Sequence, residues 1–353
     1  MKNKSSAVVL VGVTTLFALL LLMSGAFVRY IHSPVIESND ASVVVEVPEG
    51  FTYSKLMFDL HNKGQLKYPR LLIWYARLNG LAGTLKAGEY EIPKGTHARQ
   101  LFQQLSEGRV LKRTVTFVEG ITFHDMRAEL EQAEKLKQTL KGISDEEIMV
   151  KLGQAGVAPE GKFFPDTYQY HLGMSDENVL RAAMKKMQKT LENEWENKSS
   201  DLPYHSSYEA LTMASIIEKE TGVEYERAKI AGVFVRRLQQ GMMLQTDPTV
   251  IYGLGSKYDG NLHKADLQSD SKYNTYKYAG LPPTPIAMPG LDAIHAALNP
   301  ELGKSLYFVA KGDGTHEFTE SLQQHSAAVK RYQLNRSANY HSAPSQHESG
   351  DTP

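Results

Sequence analysis

Two nine-residue stretches, Val45-Glu-Val-Pro-Glu-Gly-Phe-Thr-Tyr53 and Val115-Thr-Phe-Val-Glu-Gly-Ile-Thr-Phe123, carry the same local pattern. In each, a β-rich run meets a Glu-Gly turn, and a threonine then stands where a helix would begin. A threonine hydroxyl there accepts a hydrogen bond from an otherwise unpaired amide of the first helical turn. One such pair is also what a commonplace strand-to-helix connection would produce. Read as a repeat, it places the start of a second unit near residue 113. Working outward, Ser42–Val47 is expected to be a strand, and Thr52 caps a helix carrying Leu56 and Leu60. Pro69 opens a second helix, RLLIWYARL, which ends near Asn79-Gly80. Gly88–Ile92 reads as another strand and Ala98–Leu105 as another helix, so the first unit is a small α+β module.

Downstream, helical spacing predicts helices at 122–140, 144–152, 175–195, 207–221 and 224–240. Pro159–Tyr168 is a turn-rich aromatic stretch, and a Gly/Pro/Tyr-rich region runs to about residue 290. A short helix at 291–298, a hairpin around Gly312-Asp-Gly-Thr315 and a last helix at 321–336 follow. Residues 337–353 lack large aliphatics and are expected to be disordered. The fold class is therefore α+β, mainly helical in its second part with short strands.

Length and composition set the outer limits. With 353 residues, two domains are the natural division. Lys plus Arg number 39 against 40 Asp plus Glu, a net charge of −1 that gives no general attraction to nucleic acid. Hydrophobic residues at 41% suffice for a sizeable core. The absence of cysteine excludes disulfides, thiolate catalysis, cysteine-bound zinc and a lipid anchor on cysteine.

The N-terminus is the strongest single signal. Lys2 and Lys4 precede an uncharged apolar run, Ser5–Val28, closed by Arg29. At roughly 1.5 Å per residue it reaches ~36 Å, enough to cross a ~30 Å hydrocarbon core. Residues 7–29 are read as a transmembrane helix, 1–6 as a cytoplasmic tail and 30–41 as a linker. Flanking lysines stay on the cytoplasmic side. The rival reading is a cleaved signal peptide, for which Ser24-Gly25-Ala26 loosely resembles a cleavage site, although the run exceeds a signal core of ~7–15 residues. Either way the working part lies outside the cytoplasm.

Common chemistries can then be struck off. No HExxH, strand-borne GxGxxG, Walker loop or G-x-S-x-G is present, and the 12 histidines do not pair at metal spacing. Neither a metal nor a cofactor is expected. Carboxylate chemistry remains, on the helix Tyr208-Glu-Ala-Leu-Thr-Met-Ala-Ser-Ile-Ile-Glu-Lys-Glu-Thr221. Glu218 lies in line with Leu211 and Ala214, while Glu220 is rotated roughly 200° from it. A carboxyl among apolar neighbours resists ionisation, as a general acid near neutral pH requires. Glu218 is thus the expected catalytic acid, the alternative being a helix-stitching pair with Arg227, Arg236 or Arg237. Glu220 is expected to be a solvated or cap-related acid. Met243–Tyr252 and Tyr273-Asn-Thr-Tyr276 combine amide, hydroxyl and aromatic side chains suited to a sugar cleft, or else form irregular loops with core tyrosines. Gln245, Asp247, Tyr273, Asn274 and Tyr276 are the substrate-binding candidates, with His316, beside the hairpin turn, as a further one.

Taken together, Ile217-Glu-Lys-Glu-Thr221, Leu244-Gln-Thr-Asp-Pro-Thr-Val-Ile-Tyr-Gly253, Tyr273-Asn-Thr-Tyr276 with Gly280-Leu-Pro-Pro283, and Phe164-Pro-Asp-Thr-Tyr168 resemble the MltG/YceG-like endolytic murein transglycosylases. The resemblance runs from the membrane helix to about residue 335, with Thr284 where a glycine is common. It implies a single-pass protein of the bacterial inner membrane, with a LysM-like module at 42–112 and a periplasmic catalytic domain at 113–336. It also implies cleavage between N-acetylmuramic acid and N-acetylglucosamine within glycan strands, giving 1,6-anhydro-muramic ends and terminating nascent strands. Peptidoglycan and the inner membrane would be its partners, peptidoglycan synthases its associates, and nucleic acid no partner. The resemblance assigns the catalytic glutamate to Glu218. A looser likeness to other lytic transglycosylases adds Gln245, Tyr273 and Asn274. The alternatives are a muramidase-type hydrolase, which needs a second carboxyl such as Asp247 or Glu160, and a non-catalytic wall-binding scaffold.

Overall fold

The computed structural model describes residues 2–334. The chain opens with α1 (Lys2–Ile31), whose Val8–Ile31 stretch is long and apolar enough to cross a membrane, with outward-facing side chains. The rest divides into two compact units. The first holds residues up to 113 together with 135–137 and 169–174, and the second holds the remainder.

In the first unit, β1 (Ser42–Val47) is followed by α2 (Tyr53–Asn62), α3 (Pro69–Leu78), β2 (Gly88–Pro93) and α4 (Ala98–Glu107). β1 alternates buried and exposed positions and pairs antiparallel with β2, Val45 opposite Tyr90. Val43, Val45 and Val47 thus face Leu56, Met57 and Leu60 of α2, Leu72 of α3 and Leu101, Phe102 and Leu105 of α4 in one core. The expected linker is instead part of this unit. Val35 and Ile36 are 2% exposed, the Val35 amide donates to Thr96 and the Glu37 amide to Gln65. Two adjacent aliphatics gain more from burial than from remaining a solvated tether.

The second unit begins at Thr114, inside β3 (Arg113–Thr116); this strand pairs with β4 (Thr167–Tyr170), of which Thr167 and Tyr168 belong to the same unit. Between them lie α5 (Phe123–Gln132) and α6 (Asp145–Lys151), capped by Thr122 and Ser144. α5 stops eight residues short of its expected end. Ala133 turns extended, Lys135 adopts φ 62°, and Gln138 reaches back to the Leu130 carbonyl. Then come α7 (Asp176–Glu196), α8 (Ser207–Glu220), α9 (Arg227–Gln239), α10 (Asp247–Leu254) and α11 (Leu291–Leu298). A hairpin of β5 (Tyr307–Ala310) and β6 (His316–Thr319) precedes α12 (Leu322–Tyr332). The end of the expected last helix and the 337–353 tail lie outside the described residues.

α8 is the axis of this unit. Every residue from Ala210 to Ile217 is buried, because its apolar residues surround the helix and must be covered on all sides by α7, α9, α10 and α11. Its two ends emerge from that packing, Ser207–Glu209 at the start and Glu218, Lys219 and Glu220 at the C-terminal turn.

Candidate active site

The two acids at the end of α8 face different neighbours. On one side, Glu218 Oε2 accepts a hydrogen bond from the Gly290 amide at 2.9 Å. The Gly120 turn packs beside its stem, and Lys219 Nζ donates to the Gly120 carbonyl at 3.2 Å. That turn is tied to the chain before α11: Gly120 N–H donates to the Met288 carbonyl, and Met288 N–H to that of Ile121. A β-carbon on Gly290 would overlap the Glu119 carboxylate, the flexible end of that side chain, which packs directly over this glycine. Arg227 is engaged with Asp292 at 3.2 Å, so the expected alternative of a guanidinium clamp on Glu218 is not what the structure contains. Burial raises the Glu218 pKa, the Gly290 amide opposes that, Glu119 adds to it, and Arg227 and Lys219 oppose it.

On the other side, Glu220 is neither solvated nor a cap. It accepts a hydrogen bond from the Thr246 hydroxyl, and desolvation pushes its pKa to about 7, against the Thr246 bond and with the help of Asp247. Part of its surface nevertheless stays open. A poorly hydrated carboxyl on a partly exposed residue is suited to giving up a proton near neutral pH.

The segment that meets Glu220 is built in layers. Thr246 N–H donates to Thr275 Oγ1 at 3.1 Å, Gln245 N–H to the Thr275 carbonyl at 3.1 Å, and the Thr249 and Thr275 hydroxyls lie 2.8 Å apart. Behind it, the buried Arg237 spends its donors on the Leu306, Leu244 and Met243 carbonyls and on Gln245 Oε1. Gln245 is exposed and sits at φ 53°, a left-handed conformation that costs a non-glycine residue about 1–2 kcal/mol. Thr246 is the N-cap residue of α10, and Asp247 and Pro248 open that helix. Asp247 accepts a hydrogen bond from Tyr276 OH at 2.6 Å. Burial, followed by the bond to Asp247 and that group's charge, raises the Tyr276 phenol above its ordinary range.

Three of the six substrate-binding candidates, Gln245, Asp247 and Tyr276, therefore gather on the Glu220 side. The other three are committed elsewhere. Asn274 is fully buried, donating to the Leu267 and Ser269 carbonyls and accepting from the Tyr276 amide. It builds the turn that presents Tyr276 and has no polar atom to offer a sugar. Tyr273 bonds Thr284 at 2.8 Å and packs its ring 4.9 Å from Tyr252. His316 is buried against Glu226, Nδ1 to Oε2 2.7 Å, with its own amide on the other oxygen. That pair closes the hairpin onto the turn before α9.

Sequence reasoning missed Thr246 and Thr275, which hold the Glu220 side together, and it offered Arg237 as a partner for Glu218, whereas Arg237 instead braces the Met243–Gln245 segment. The start of α10 was signalled by the Asp-Pro pair at its first turn. Glu160 is a further buried acid raised to about 7, desolvation outweighing its bonds from Tyr252 OH and the Phe123 amide. Both of its oxygens are occupied, and it ties α10 to the start of α5.

The YceG-like family model matches residues 45–331. The chain belongs to the YceG-like family. It is 32% identical over 333 residues to a Bacillus subtilis protein named endolytic murein transglycosylase, spanning 88% of this chain and 91% of that one. It is 28% identical over 360 residues to a Streptococcus pneumoniae protein of the same name, spanning 91% of this chain and 64% of the relative. A crystal structure of a yceG-like protein from Listeria monocytogenes superposes with a TM-score of 0.51 at 28% identity, covering 81% of this chain and 98% of that one. The family match takes in both units and every residue of the Glu220 cluster.

Proposed function

We propose that this chain is an endolytic murein transglycosylase whose proton donor is Glu220. The observation that carries the reading is a carboxyl, on a partly exposed residue, whose pKa is raised to about 7 beside Thr246, Asp247, Tyr276 and Gln245. Glu218 takes a different part: with Lys219 it fastens the Gly120 turn and the Met288–Gly290 segment to the end of α8. This moves the catalytic role two residues along the chain from the sequence-based expectation.

In this mechanism, protonated Glu220 gives its proton to the glycosidic oxygen as that oxygen's bond to C1 of N-acetylmuramic acid breaks. Positive charge develops on the muramic ring. The glutamate, now a carboxylate, accepts the C6 hydroxyl proton as the C6 oxygen bonds to C1. A 1,6-anhydro ring results, no water is consumed, and Glu220 ends protonated for the next cycle. Thr246 steadies the carboxylate between the two transfers, a charge-assisted bond stronger than one to the neutral acid. Asp247, held by Tyr276, keeps an anion near the positive ring, while Gln245 offers an amide to a hydroxyl or acetamido group.

The same proposal makes α1 a membrane anchor, with Lys2 and Lys4 cytoplasmic and both units outside. The strand-helix-helix-strand order of β1, α2, α3 and β2 supports reading that part as LysM-like and glycan-binding. Enzymes that polymerise peptidoglycan would then work beside it, since they make the strands it cuts.

Product analysis tests the reading. Full-length protein is incubated with purified sacculi and the released glycans are read by mass spectrometry. Anhydro-muramic ends are expected. Reducing ends would replace the lyase by a hydrolase using Asp247 as second carboxyl, and binding without cleavage would leave a scaffold.

A further inference from the structure

The helix α3 carries a surface that neither unit's core nor the cleavage chemistry uses. Its outward residues are Arg70, Trp74, Arg77 and Leu78, with Leu71 partly exposed beside them. Trp74 is 60% exposed and Leu78 69%, and Tyr68, just before the helix, is 56% exposed. At ~100° per residue these five helical positions fall within an arc of roughly 120°, Arg77 and Arg70 along one edge and Trp74, Leu78 and Leu71 along the other. The opposite side of the helix, Leu72 and Ala76, is buried in the first unit's core. A water-facing helix surface is not normally furnished this way, because a contiguous indole and two leucines lose free energy in water.

What covers that surface is indicated by where it lies. Tyr68 packs edge-on against Tyr30, ring centres 5.3 Å apart, and Tyr30 belongs to the last turn of α1. The chain leaving α1 is pinned straight back onto the same unit, Ile36 bridging to Leu66 two residues before Tyr68. α3 therefore starts at the level where α1 leaves the bilayer. Tryptophan and tyrosine concentrate at that level in membrane proteins, and arginine reaches lipid phosphates from it.

We infer that the outer face of α3 docks on the bilayer through which α1 passes. Tyr68, Trp74 and Leu78 enter the boundary between headgroups and acyl chains, and Arg70 and Arg77 meet headgroup phosphates. The first unit then lies against the membrane surface and is not a freely swinging module on a tether. The inference rests on the proposed membrane span of α1.

The chain has only two tryptophans, Trp74 and Trp195, which supplies the test. In full-length protein carrying Trp195→Phe, Trp74 is the sole indole. The protein is reconstituted into phosphatidylethanolamine–phosphatidylglycerol vesicles whose acyl chains are brominated near either the headgroup or the chain end. Docking predicts that shallow bromines quench Trp74 roughly twofold, and more than deep ones do, as for an interfacial indole. A second protein, with Trp74→Phe, Trp195→Phe and Leu16→Trp, reports the span itself and should be quenched most by deep bromines. Quenching of Leu16→Trp with none at Trp74 would overturn the docking and leave the span standing. Absence of quenching in both would overturn both, whereas a Trp74 covered by another protein copy would give the former result, Leu16→Trp quenched and Trp74 not.

Discussion

Glu218 and Glu220 stand two residues apart on one helix turn, yet they belong to different chemistry. The Glu218 carboxylate receives a main-chain amide, with Glu119 adding negative charge and Arg227 and Lys219 positive charge around it. Glu220 has a threonine hydroxyl and a nearby aspartate, and reaches about 7. Burial acts on both, so burial alone does not separate them. Each acid also has an anion close by, Glu119 for Glu218 and Asp247 for Glu220, but only Glu218 has the cations Arg227 and Lys219 and a main-chain amide to favour its ionised form.

Exchanging the acids one at a time puts the largest load on that contrast. Glu220→Gln should lower glycan cleavage by ~10²–10⁴, the usual worth of a general acid. Glu218→Gln should stay within about tenfold of wild type, because an amide oxygen still accepts from Gly290. Counting anhydro ends by mass spectrometry measures both, and the reverse ranking would return the catalytic role to Glu218.

Next comes pH. As the proposed proton donor Glu220 must be protonated, and its folded pKa is raised, so the active form should prevail below about 7 and be lost above it. The rate at low substrate should then fall about tenfold per pH unit on the alkaline side. Glu218→Gln should leave that limb where it is, and a limb that moves with Glu218 would show that the faces are not independent.

A finer probe is Thr246→Val. The Thr246 hydroxyl favours the ionised form, so its loss should shift the alkaline limb upward by about one unit, the worth of one hydrogen bond of ~1–1.5 kcal/mol. The rate should fall as well, since the carboxylate formed midway is less well held. An unmoved limb would separate Thr246 from the acid.

Gly290→Ala should have the smallest effect. Its β-carbon would displace the Glu119 carboxylate, the mobile end of a side chain, while the amide to Glu218 stays in place. Cleavage should remain within about twofold, because with Glu220 as the proposed donor the perturbation lies on the opposite side of the helix. A large loss, read in the same assay, would mean that the Glu119–Gly290 contact shapes the cleft.

Much of the local structure was legible in the residues. Thr52 and Thr122 cap α2 and α5, and the glycines of the two turns, Gly50 and Gly120, both adopt positive φ, 74° and 76°. The tertiary surroundings of the two copies differ: a side chain on Gly50 would meet open space, whereas one on Gly120 would come 3.6 Å from both Glu218 and Lys219. Local signals also missed the early end of α5, since they do not show Gln138 turning back on Leu130. Asn274 looked like a sugar ligand because an amide side chain reads the same whether it bonds a hydroxyl or its own loop. His316 misled in a similar way: a hairpin usually exposes its flanks, but Glu226, distant in sequence, buries this one.

By itself the amino-acid order determined that an apolar helix heads the chain, that α8 runs through a core, and that its two acids diverge by most of a half-turn or more. Those are consequences of spacing and side-chain type, which act within a few residues. Only the folded chain decided which of the diverging acids meets Thr246, Asp247 and Tyr276. These come from segments that lie far along the chain from α8, and a proton's affinity for a carboxyl depends on whatever is brought within a few ångströms of it.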